Sequence, residues 1–236
     1  MSIDNDEKKN IKIGILTYTV PHRKTYDVLC LLKAKGYHNV SVYAKPFHYV
    51  KKFQPLIEHR PKMYFDVDTK IMCNHFDYQY FEISEYEMIQ ASSETIMLVC
   101  GAGIIPASFI NQYQVINSHP GYIPKERGLD ALKWAIVEKE PVGVTTHFIG
   151  DEIDAGQIID RKKIPIYKND TFHAVAVRVY EREIAMLVDA IEYVYKKKTT
   201  FYVSGGHFIV HKRMPENIDC QLLDLFEEYK ELSDCL

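Results

Sequence analysis

The chain has 236 residues, of which 47% are hydrophobic and 26% charged, and its formal net charge at pH 7 is −3. This length predicts one large domain, or one domain with an appendage, that buries a substantial apolar core. The slightly acidic balance excludes a general nucleic-acid surface, which would be basic, so we expect no nucleic-acid partner.

The start of the chain is polar. Residues 1–10 lack the apolar stretch of a signal peptide, and we expect them to form a flexible lead-in. No apolar run reaches the ~18 residues that a membrane span needs. The five cysteines show no CxxC pair and no Cys/His metal spacing, which is typical of reduced thiols. These features predict a cytoplasmic protein with no membrane partner and no metal.

A β-α-β pattern follows the lead-in. Residues 11–16 predict an apolar strand, residues 27–35 an amphipathic helix, and residues 39–44 a second strand. This succession is typical of an α/β protein with a Rossmann-like, doubly wound and mostly parallel sheet. The turn after the first strand contains neither GxGxxG nor a Walker loop, so it offers no standard cradle for a dinucleotide or a nucleoside triphosphate.

Residues 45–64 are rich in basic and aromatic side chains. Two interpretations stay open for this stretch. It is either a solvated helix face followed by a turn, or a site for an anionic nucleotide. In the second case Arg60 and Lys62 meet a diphosphate while an aromatic side chain stacks on the base.

The middle of the chain predicts one strongly buried strand. Residues 73–84 indicate a loop that leads to a short strand, and residues 95–100 form a near-continuous apolar run of the buried parallel type. That run ends at residues 101–106, Gly-Ala-Gly-Ile-Ile-Pro, where glycines allow a ligand to lie against the backbone. A plain tight turn between a strand and a helix explains the same residues.

Three polar side chains stand where predicted strands end. Asn117 and His119 close an apolar strand at spacing two, which places both on one face, and Pro120-Gly121 then stops the strand. A second strand, residues 144–148, leads into a loop that contains Asp154. A carboxamide, an imidazole and a carboxylate can hold an oxyanion and move a proton. Taken singly, Asn117 is also explained as a turn cap, His119 as a satisfied semi-buried histidine and Asp154 as a loop cap.

The motifs Asn117-x-His119-Pro120, Pro124-x-x-x-Gly128 and Gly143-Val-x-x-His147, followed by Asp154-x-Gly156, resemble the folate-dependent formyltransferases. That family includes glycinamide ribonucleotide transformylase, methionyl-tRNA formyltransferase and the sugar N-formyltransferases. The resemblance implies the formyltransferase fold and gives Asn117, His119 and Asp154 the catalytic roles. It also implies N10-formyltetrahydrofolate as the co-substrate, without a metal. His147 either supports Asp154 or merely packs.

The resemblance also implies two sets of binding residues. The folate's pterin ring would bind chiefly through main-chain groups, at Cys100, Gly101, Ala102, Gly103, Ile104, Ile105, Ile149, Gly150 and Asp151. The compact sugar N-formyltransferases are the most similar branch, so we expect a nucleotide-linked amino sugar such as dTDP-4-amino-4,6-dideoxyglucose, on the route to O-antigen. Its candidate contacts are Tyr18, His59, Arg60, Lys62, Gly121, Tyr122, Arg127, Gly128 and Asp130.

The end of the chain predicts an appendage. After a long helix at residues 170–195, residues 200–210 indicate a β-hairpin with a Gly-Gly turn, and residues 218–232 a last amphipathic helix. An isolated hairpin is marginal in water, so we expect it to pack on a second subunit and form a homodimer. The predicted domains are therefore a catalytic domain at 11–198 and an appendage at 199–236.

Other functions stay open. Glycinamide ribonucleotide transformylase usually has a Gly/Ser-rich phosphate loop after the first strand, where this chain has Thr-Tyr-Thr-Val-Pro-His-Arg at residues 17–23. A non-catalytic folate- or nucleotide-binding module on the same fold is a second alternative, which the complete set of three catalytic residues disfavours. A hydrolase that releases formate would be expected to carry an additional N-terminal domain.

Overall fold

The computed structural model describes residues 3–47, 55–63, 66–150, 154, 156–201 and 208–232. The chain divides into two compact units. The first unit contains Met1–Val50, Lys62–Asn117 and Ile184–Lys198, and the second unit contains Lys51–Pro61, Ser118–Glu183 and Thr199–Leu236.

Helices and strands alternate through most of the described chain. The strands are β1 (Ile13–Tyr18), β2 (Val40–Lys45), β3 (Gln79–Glu82), β4 (Ile96–Val99), β5 (Gln114–His119), β6 (Arg127–Gly128), β7 (Gly143–Phe148), β8 (Ile158–Lys163) and β9 (Val210–His211). The helices are α1 (Asn5–Asn10), α2 (Arg23–Ala34), α3 (Thr69–Phe76), α4 (Ala107–Gln112), α5 (Ala131–Val137), α6 (Phe172–Tyr195), α7 (Glu216–Asp219) and α8 (Leu222–Leu232). No helix among the described residues is both long and apolar enough to cross a bilayer.

The first unit is built on a parallel sheet with the strand order β3-β2-β1-β4-β5. At its centre, Ile13 lies opposite Val40 on one side and Ile96 on the other. The central strands β1 and β4 are almost wholly buried, as expected for a parallel sheet with both faces covered. The predicted α/β, doubly wound and mostly parallel sheet is confirmed.

Helix α2 begins at Arg23, four residues before its predicted start. Its first turn buries polar side chains that belong to a local hydrogen-bond network. The Thr25 hydroxyl pairs with the Thr17 hydroxyl and with His22 Nδ1, the latter at 3.0 Å. An apolar pattern cannot detect a helical turn whose buried side chains are polar and satisfied by one another.

Two short helices occupy segments that were predicted as irregular. The loop expected from residue 73 is wrong, since α3 spans Thr69–Phe76. The Asp68 carboxylate accepts from two backbone N–H groups at its start, and Asp77, with a positive φ of 58°, caps its end. Within the expected flexible lead-in, α1 has a capping box between Asp4 and Glu7. Both helices are defined more by their caps than by an apolar stripe.

The second unit contains the antiparallel pair β7–β8 and the short parallel pair β6–β9. The described part of the C-terminal segment packs within this unit. Phe226 and Tyr229 of α8 are buried, and α7 is tied to α5 by a fully buried ion pair between Lys133 and Asp219, at 2.6 Å. One apolar face of α8 is therefore covered within its own chain, whereas Leu223 and Leu232 stay exposed.

The predicted hairpin is described only at its two ends. Phe201 forms an antiparallel bridge with Ile158, and Val210–His211 pairs with β6. The residues between them, 202–207, include the predicted Gly-Gly turn and lie outside the described residues. Both described ends thus pair with other strands of the second unit, and a homodimer through this segment stays a prediction.

Candidate active site

The strand β5 ends in the two polar residues that the spacing singled out. His119 is 5% exposed, whereas Asn117 is only partly buried. Asp154 stands in the loop that follows β7, and two glycines close the base of that loop. A Cβ on Gly156 would lie 1.7 Å from the Phe148 carbonyl oxygen, and one on Gly150 would contact the Gly156 backbone. The Gly156 position therefore requires glycine, whereas a Cβ on Gly150 would make an ordinary van der Waals contact.

Asp154 lies between two imidazoles in the second unit. Its Oδ2 is 3.5 Å from Nδ1 of His119, and its Oδ1 is 3.6 Å from Nε2 of His147. The Gly128 N–H donates to Oδ2 at 2.9 Å. Asp154 has a positive φ of 48°, an uncommon conformation for a residue other than glycine. The backbone is therefore held in an unfavourable conformation that directs this carboxylate at both rings.

Backbone carbonyls fix the tautomers of both imidazoles. His119 Nε2 lies 2.7 Å from the Glu126 carbonyl and His147 Nδ1 lies 2.9 Å from the Phe148 carbonyl, so these nitrogens are the ones that carry a proton. In the neutral His119 ring, the unprotonated Nδ1 then faces Asp154. A proton added to His119 would go to Nδ1, where the carboxylate stabilises the resulting imidazolium.

The electrostatics of the pair follow from this arrangement. Burial alone would raise the pKa of the Asp154 carboxyl, but His119, His147 and the Gly128 N–H together hold that pKa well below its usual range. Burial lowers the pKa of His119, and the Asp154 charge opposes that shift. At neutral pH the site therefore presents a carboxylate and a neutral imidazole that can accept one proton.

The segment after β5 wraps around His119, and we call residues 120–128 the Glu126 loop. A Cβ on Gly121 would lie 2.4 Å from the Glu126 carbonyl and 2.6 Å from His119 Nε2, so this position requires glycine. The Thr145 hydroxyl, on β7, donates to the Gly121 carbonyl and accepts from the Ile123 N–H. This pair of bonds anchors the loop that holds the His119 tautomer.

Residues 64–191 match the family model described as formyl transferase. This chain belongs to that family.

Two kinds of curated relatives match parts of this chain. The phosphoribosylglycinamide formyltransferase of Escherichia coli is 28% identical over 43% of the chain and 49% of its own length. The dTDP-4-amino-4,6-dideoxyglucose formyltransferase of Mycobacterium tuberculosis is 35% identical over 34% of the chain and 36% of its own length. The aligned segment thus spans about half, or less, of these relatives.

Solved structures match nearly the whole chain at the level of the fold. A sugar N-formyltransferase from Shewanella sp. FDAARGOS_354 superposes with a TM-score of 0.58 and 19% identity, over 90% of this chain and 87% of that one. WlaRD, a sugar 3N-formyl transferase solved in the presence of dTDP and 5-N-formyl-THF, superposes with a TM-score of 0.58 and 16% identity, over 83% and 67% of the two chains.

The predicted folate-binding residues of the first unit follow β4. The Tyr18 ring lies against Gly101, where a Cβ would be 2.6 Å from it, and the same ring contacts His22 and Phe47. Gly103 faces open space, and Ile104 is 96% exposed. Packing within the unit therefore explains the first glycine but neither the second glycine nor the exposed isoleucine.

The remaining predicted folate residues are described only in part. Cys100 is buried, and Ala102 and Ile105 are partly exposed beside the open glycine. Ile149 and Gly150, at the start of the Asp154 loop, are also partly exposed. Asp151 lies outside the described residues.

A cavity in the first unit lies away from these strand ends. It measures about 690 Å³, and its lining includes Lys12, Ile96 and Gln114, which precede or begin β1, β4 and β5. Ligands of open α/β sheets bind at the opposite, carboxyl ends of the strands. This cavity is therefore not a candidate for the folate.

The predicted acceptor contacts His59, Arg60 and Asp130 already have partners within the second unit. His59 Nε2 lies 3.7 Å from Asp130 Oδ1, and burial lowers the pKa of His59 to about 4, so the ring is neutral at physiological pH. The other Asp130 oxygen accepts from the Met214 N–H at 2.9 Å. The Arg60 guanidinium donates two hydrogen bonds to the buried Glu183 carboxylate. A diphosphate at Arg60 would have to share or break that ion pair.

Three further predicted acceptor contacts, Tyr122, Arg127 and Gly128, support the Glu126 loop or the Asp154 carboxylate. The guanidinium of Arg161 stacks over Tyr122 at 4.2 Å. Gly128 has a positive φ of 92°, and a Cβ there would lie 2.3 Å from the His211 carbonyl. Arg127 is 9% exposed and pairs with Val210 through β6 and β9. In the first unit, Lys62 is exposed.

Sequence reasoning missed two residues of this site and left a third undecided. Glu126 supplies the carbonyl that fixes His119, and Thr145 anchors the Glu126 loop, yet backbone acceptors and a strand threonine have no distinctive pattern in a sequence. The support of Asp154 by His147 was one of two open alternatives, and the 3.6 Å distance favours it. The Gly128 motif was found, but its role in holding Asp154 needed the structure.

Proposed function

We propose that this chain transfers the formyl group of N10-formyltetrahydrofolate to the amine of a nucleotide-linked amino sugar, with dTDP-4-amino-4,6-dideoxyglucose as the first candidate. The observation that carries the proposal is the position of Asp154 between His119 and His147 in a member of the formyl transferase family. A negative charge fixed beside a neutral imidazole is suited to a reaction that must remove a proton from an attacking amine.

His119 is the proposed proton acceptor. The neutral amine attacks the formyl carbon, a C–N bond forms, and the amine nitrogen becomes positively charged. Nδ1 of His119 takes one proton from that nitrogen, and Asp154 stabilises the imidazolium. Asp154 is a poor proton acceptor itself, because its neighbours hold its pKa well below the usual range. The proton then returns to the folate nitrogen when the old C–N bond breaks, so protons and charges balance.

Asn117 is the proposed oxyanion donor. The formyl oxygen gains negative charge as the amine attacks, and a side-chain N–H at its final position stabilises that charge. Asn117 stands two residues before His119 on β5 and is partly exposed, so its carboxamide is accessible.

The turn after β4 is the proposed pterin site. Gly103 leaves open space beside the backbone, and Ile104 exposes an apolar surface that the unit itself does not cover. A flat ring that bonds to main-chain groups and covers an isoleucine would use both features. The first unit therefore fits the co-substrate without a charged side chain at the ring.

Two observations support an amino sugar as the acceptor. The Mycobacterium tuberculosis sugar formyltransferase is 35% identical over its 83 aligned residues, and the Escherichia coli purine enzyme is 28% identical over its 104 aligned residues. In addition, the turn after β1 is filled by the Thr17, Thr25 and His22 hydrogen-bond network, where a phosphate cradle would present glycine N–H groups. A role in O-antigen sugar synthesis in the cytoplasm, as a homodimer, completes the proposal.

Glycinamide ribonucleotide (phosphoribosylglycinamide) is the second candidate acceptor, because the Escherichia coli purine enzyme aligns over a longer segment of this chain than the Mycobacterium tuberculosis sugar formyltransferase does. The decisive experiment supplies N10-formyltetrahydrofolate with the dTDP-4-amino sugar and with glycinamide ribonucleotide in separate reactions. We expect turnover with the sugar alone. Turnover with the ribonucleotide alone would overturn the proposed acceptor, and no turnover with either would overturn both.

A further inference from the structure

Glu126 carries a fully buried carboxylate in the second unit. Its residue exposure is 0%, and neither side-chain oxygen has a hydrogen-bond partner among the described residues. Nearly all buried polar groups in proteins are hydrogen-bonded, and buried charges are paired or coordinate metals. An isolated carboxylate in such a position therefore needs an explanation.

Two further ligand-type groups face the same point. His211 Nε2 on β9 lies 3.8 Å from Glu126 Oε2 and 3.4 Å from Oε2 of Glu138, the residue that follows α5. His211 is also buried, its Nε2 has no hydrogen-bond partner among the described residues, and its ring stacks on Trp134 at 4.8 Å. The three donor atoms lie within 4.8 Å of one another.

Lys125, the residue before Glu126, is directed at a different carboxylate. Lys125 bonds both oxygens of Glu140, at 2.6 and 2.7 Å. Glu126 and Glu138 are thus adjacent acids, and the lysine beside them neutralises a third acid instead. The cluster has two negative charges and one imidazole, which together match the charge and the ligand preference of a small divalent cation.

We propose that Glu126, Glu138 and His211 form a zinc-type divalent cation site. Tetrahedral zinc with N and O ligands keeps its donor atoms about 3.4 Å apart. The His211–Glu138 separation of 3.4 Å already has this value, the His211–Glu126 separation is 3.8 Å, and no pair exceeds 4.8 Å. Glu138 is 39% exposed at its side chain, which leaves the fourth position open to water.

The cation would connect the Glu126 loop, the end of α5 and β9. Because the Glu126 carbonyl accepts the His119 Nε2–H bond, a cation on the Glu126 side chain would also hold the group that fixes the His119 tautomer. The site is thus a positioning element for the candidate active site, and its binding can be measured without any formyl acceptor.

The test uses tag-free full chain that has been stripped with a chelator and titrated calorimetrically with Zn²⁺. We expect one ion per chain and a rise in melting temperature. Glu126→Gln and the surface variant Glu138→Gln should each weaken binding by about 100-fold or more, since residues that merely orient metal ligands contribute about 10- to 100-fold. The matched control Glu140→Gln, which alters the neighbouring acid, should bind as the wild type does.

Two results would overturn the proposal. An absence of saturable Zn²⁺ binding would mean that Glu126 is instead held protonated beside Glu138. Binding that survives both Glu126→Gln and Glu138→Gln would place the ion elsewhere, for example on a cysteine thiol. The Glu138 side chain is exposed, so the result for Glu138→Gln does not depend on whether the core tolerates a substitution.

Discussion

Asp154 and Glu126 are two acidic residues of the second unit that lie at opposite nitrogens of His119. Asp154 faces Nδ1 through its side chain, and Glu126 accepts from Nε2 through its backbone carbonyl. Asp154 has two imidazoles and a backbone N–H as neighbours, and these hold its pKa well below the usual range. For Glu126, burial first and then the charges of Glu138 and Glu140 raise the pKa to about 8.

The difference shows that burial alone does not decide the state of a carboxylate. Burial disfavours the charge of both groups, but donors reverse its effect at Asp154, whereas neighbouring acids add to it at Glu126. One carboxylate is therefore a permanent charge that can serve catalysis, and the other needs a proton or a cation. Asp219 is a third case, because Lys133 neutralises it inside the core.

The largest effect is expected when the His119 imidazole, which lies between Asp154 and the Glu126 carbonyl, is removed. His119→Ala should lower kcat by about 1,000-fold or more, since a general base contributes about 100- to 10,000-fold. The folate affinity and the far-UV circular dichroism should stay near those of the wild type. His173→Ala is the matched control, because His173 is an exposed histidine on α6. Near-normal turnover of His119→Ala would refute the role of this residue.

Removal of the Lys133 ammonium group should leave the third carboxylate, Asp219, buried without a positively charged partner. Lys133→Ala leaves Asp219 buried and uncompensated, so the free energy of unfolding should fall by about 3–5 kcal/mol in urea denaturation. The control Lys125→Ala breaks a partly exposed pair with Glu140 and should lower it by about 0–1 kcal/mol. Equal losses would show that burial of the pair is not the cause.

Glu126→Gln should stabilise the metal-free protein at alkaline pH, by about 1–3 kcal/mol, because it removes an unpaired buried charge. The pKa of Glu126 is raised in the folded protein, so its favourable contribution is complete below the ordinary glutamate pKa of 4.5 and is lost as the pH rises through about 8. Denaturation of the wild type in chelator should therefore show stability that falls across this range. A similar fall in the stability of Glu126→Gln would show that another titrating group causes the pH dependence.

His147→Gln should have the smallest effect. Its Nε2 supports Asp154 from 3.6 Å, on the side away from His119, so the carboxylate keeps His119 and the Gly128 N–H as neighbours. We expect a decrease in kcat of about 10-fold, equivalent to about 1.4 kcal/mol, with the Michaelis constant for folate unchanged. A loss as large as that of His119→Ala would indicate that His147 takes part in proton transfer itself.

The sequence predicted the parts of the molecule that follow regular patterns. Continuous apolar runs such as the one in β4 indicated the parallel sheet. The spacing of Asn117 and His119, with Asp154 after the next predicted strand, indicated the site. The short helix α3 was missed because its definition rests on the Asp68 cap rather than on an apolar stripe.

Long-range relations could not be read from the chain. Glu138 and His211 lie far apart in sequence, and neither follows a metal-ligand spacing relative to Glu126. Likewise, the amphipathic pattern of the last helix predicted a buried face without saying what covers it. The Tyr229 hydroxyl bonds the Glu140 carbonyl of the same chain, a contact that only the tertiary fold reveals.

The most direct test of the proposed chemistry is the rate of formyl transfer from N10-formyltetrahydrofolate to the dTDP-4-amino sugar by the wild type and by Asp154→Asn. The substitution keeps the shape of the side chain but removes the charge that stabilises the His119 imidazolium. We expect turnover by the wild type and a kcat lower by about 1,000-fold or more in the variant, similar to the loss on neutralising the aspartate of a serine protease triad. A variant within about 10-fold of the wild type, a difference of about 1.4 kcal/mol, would contradict the proposed role of Asp154.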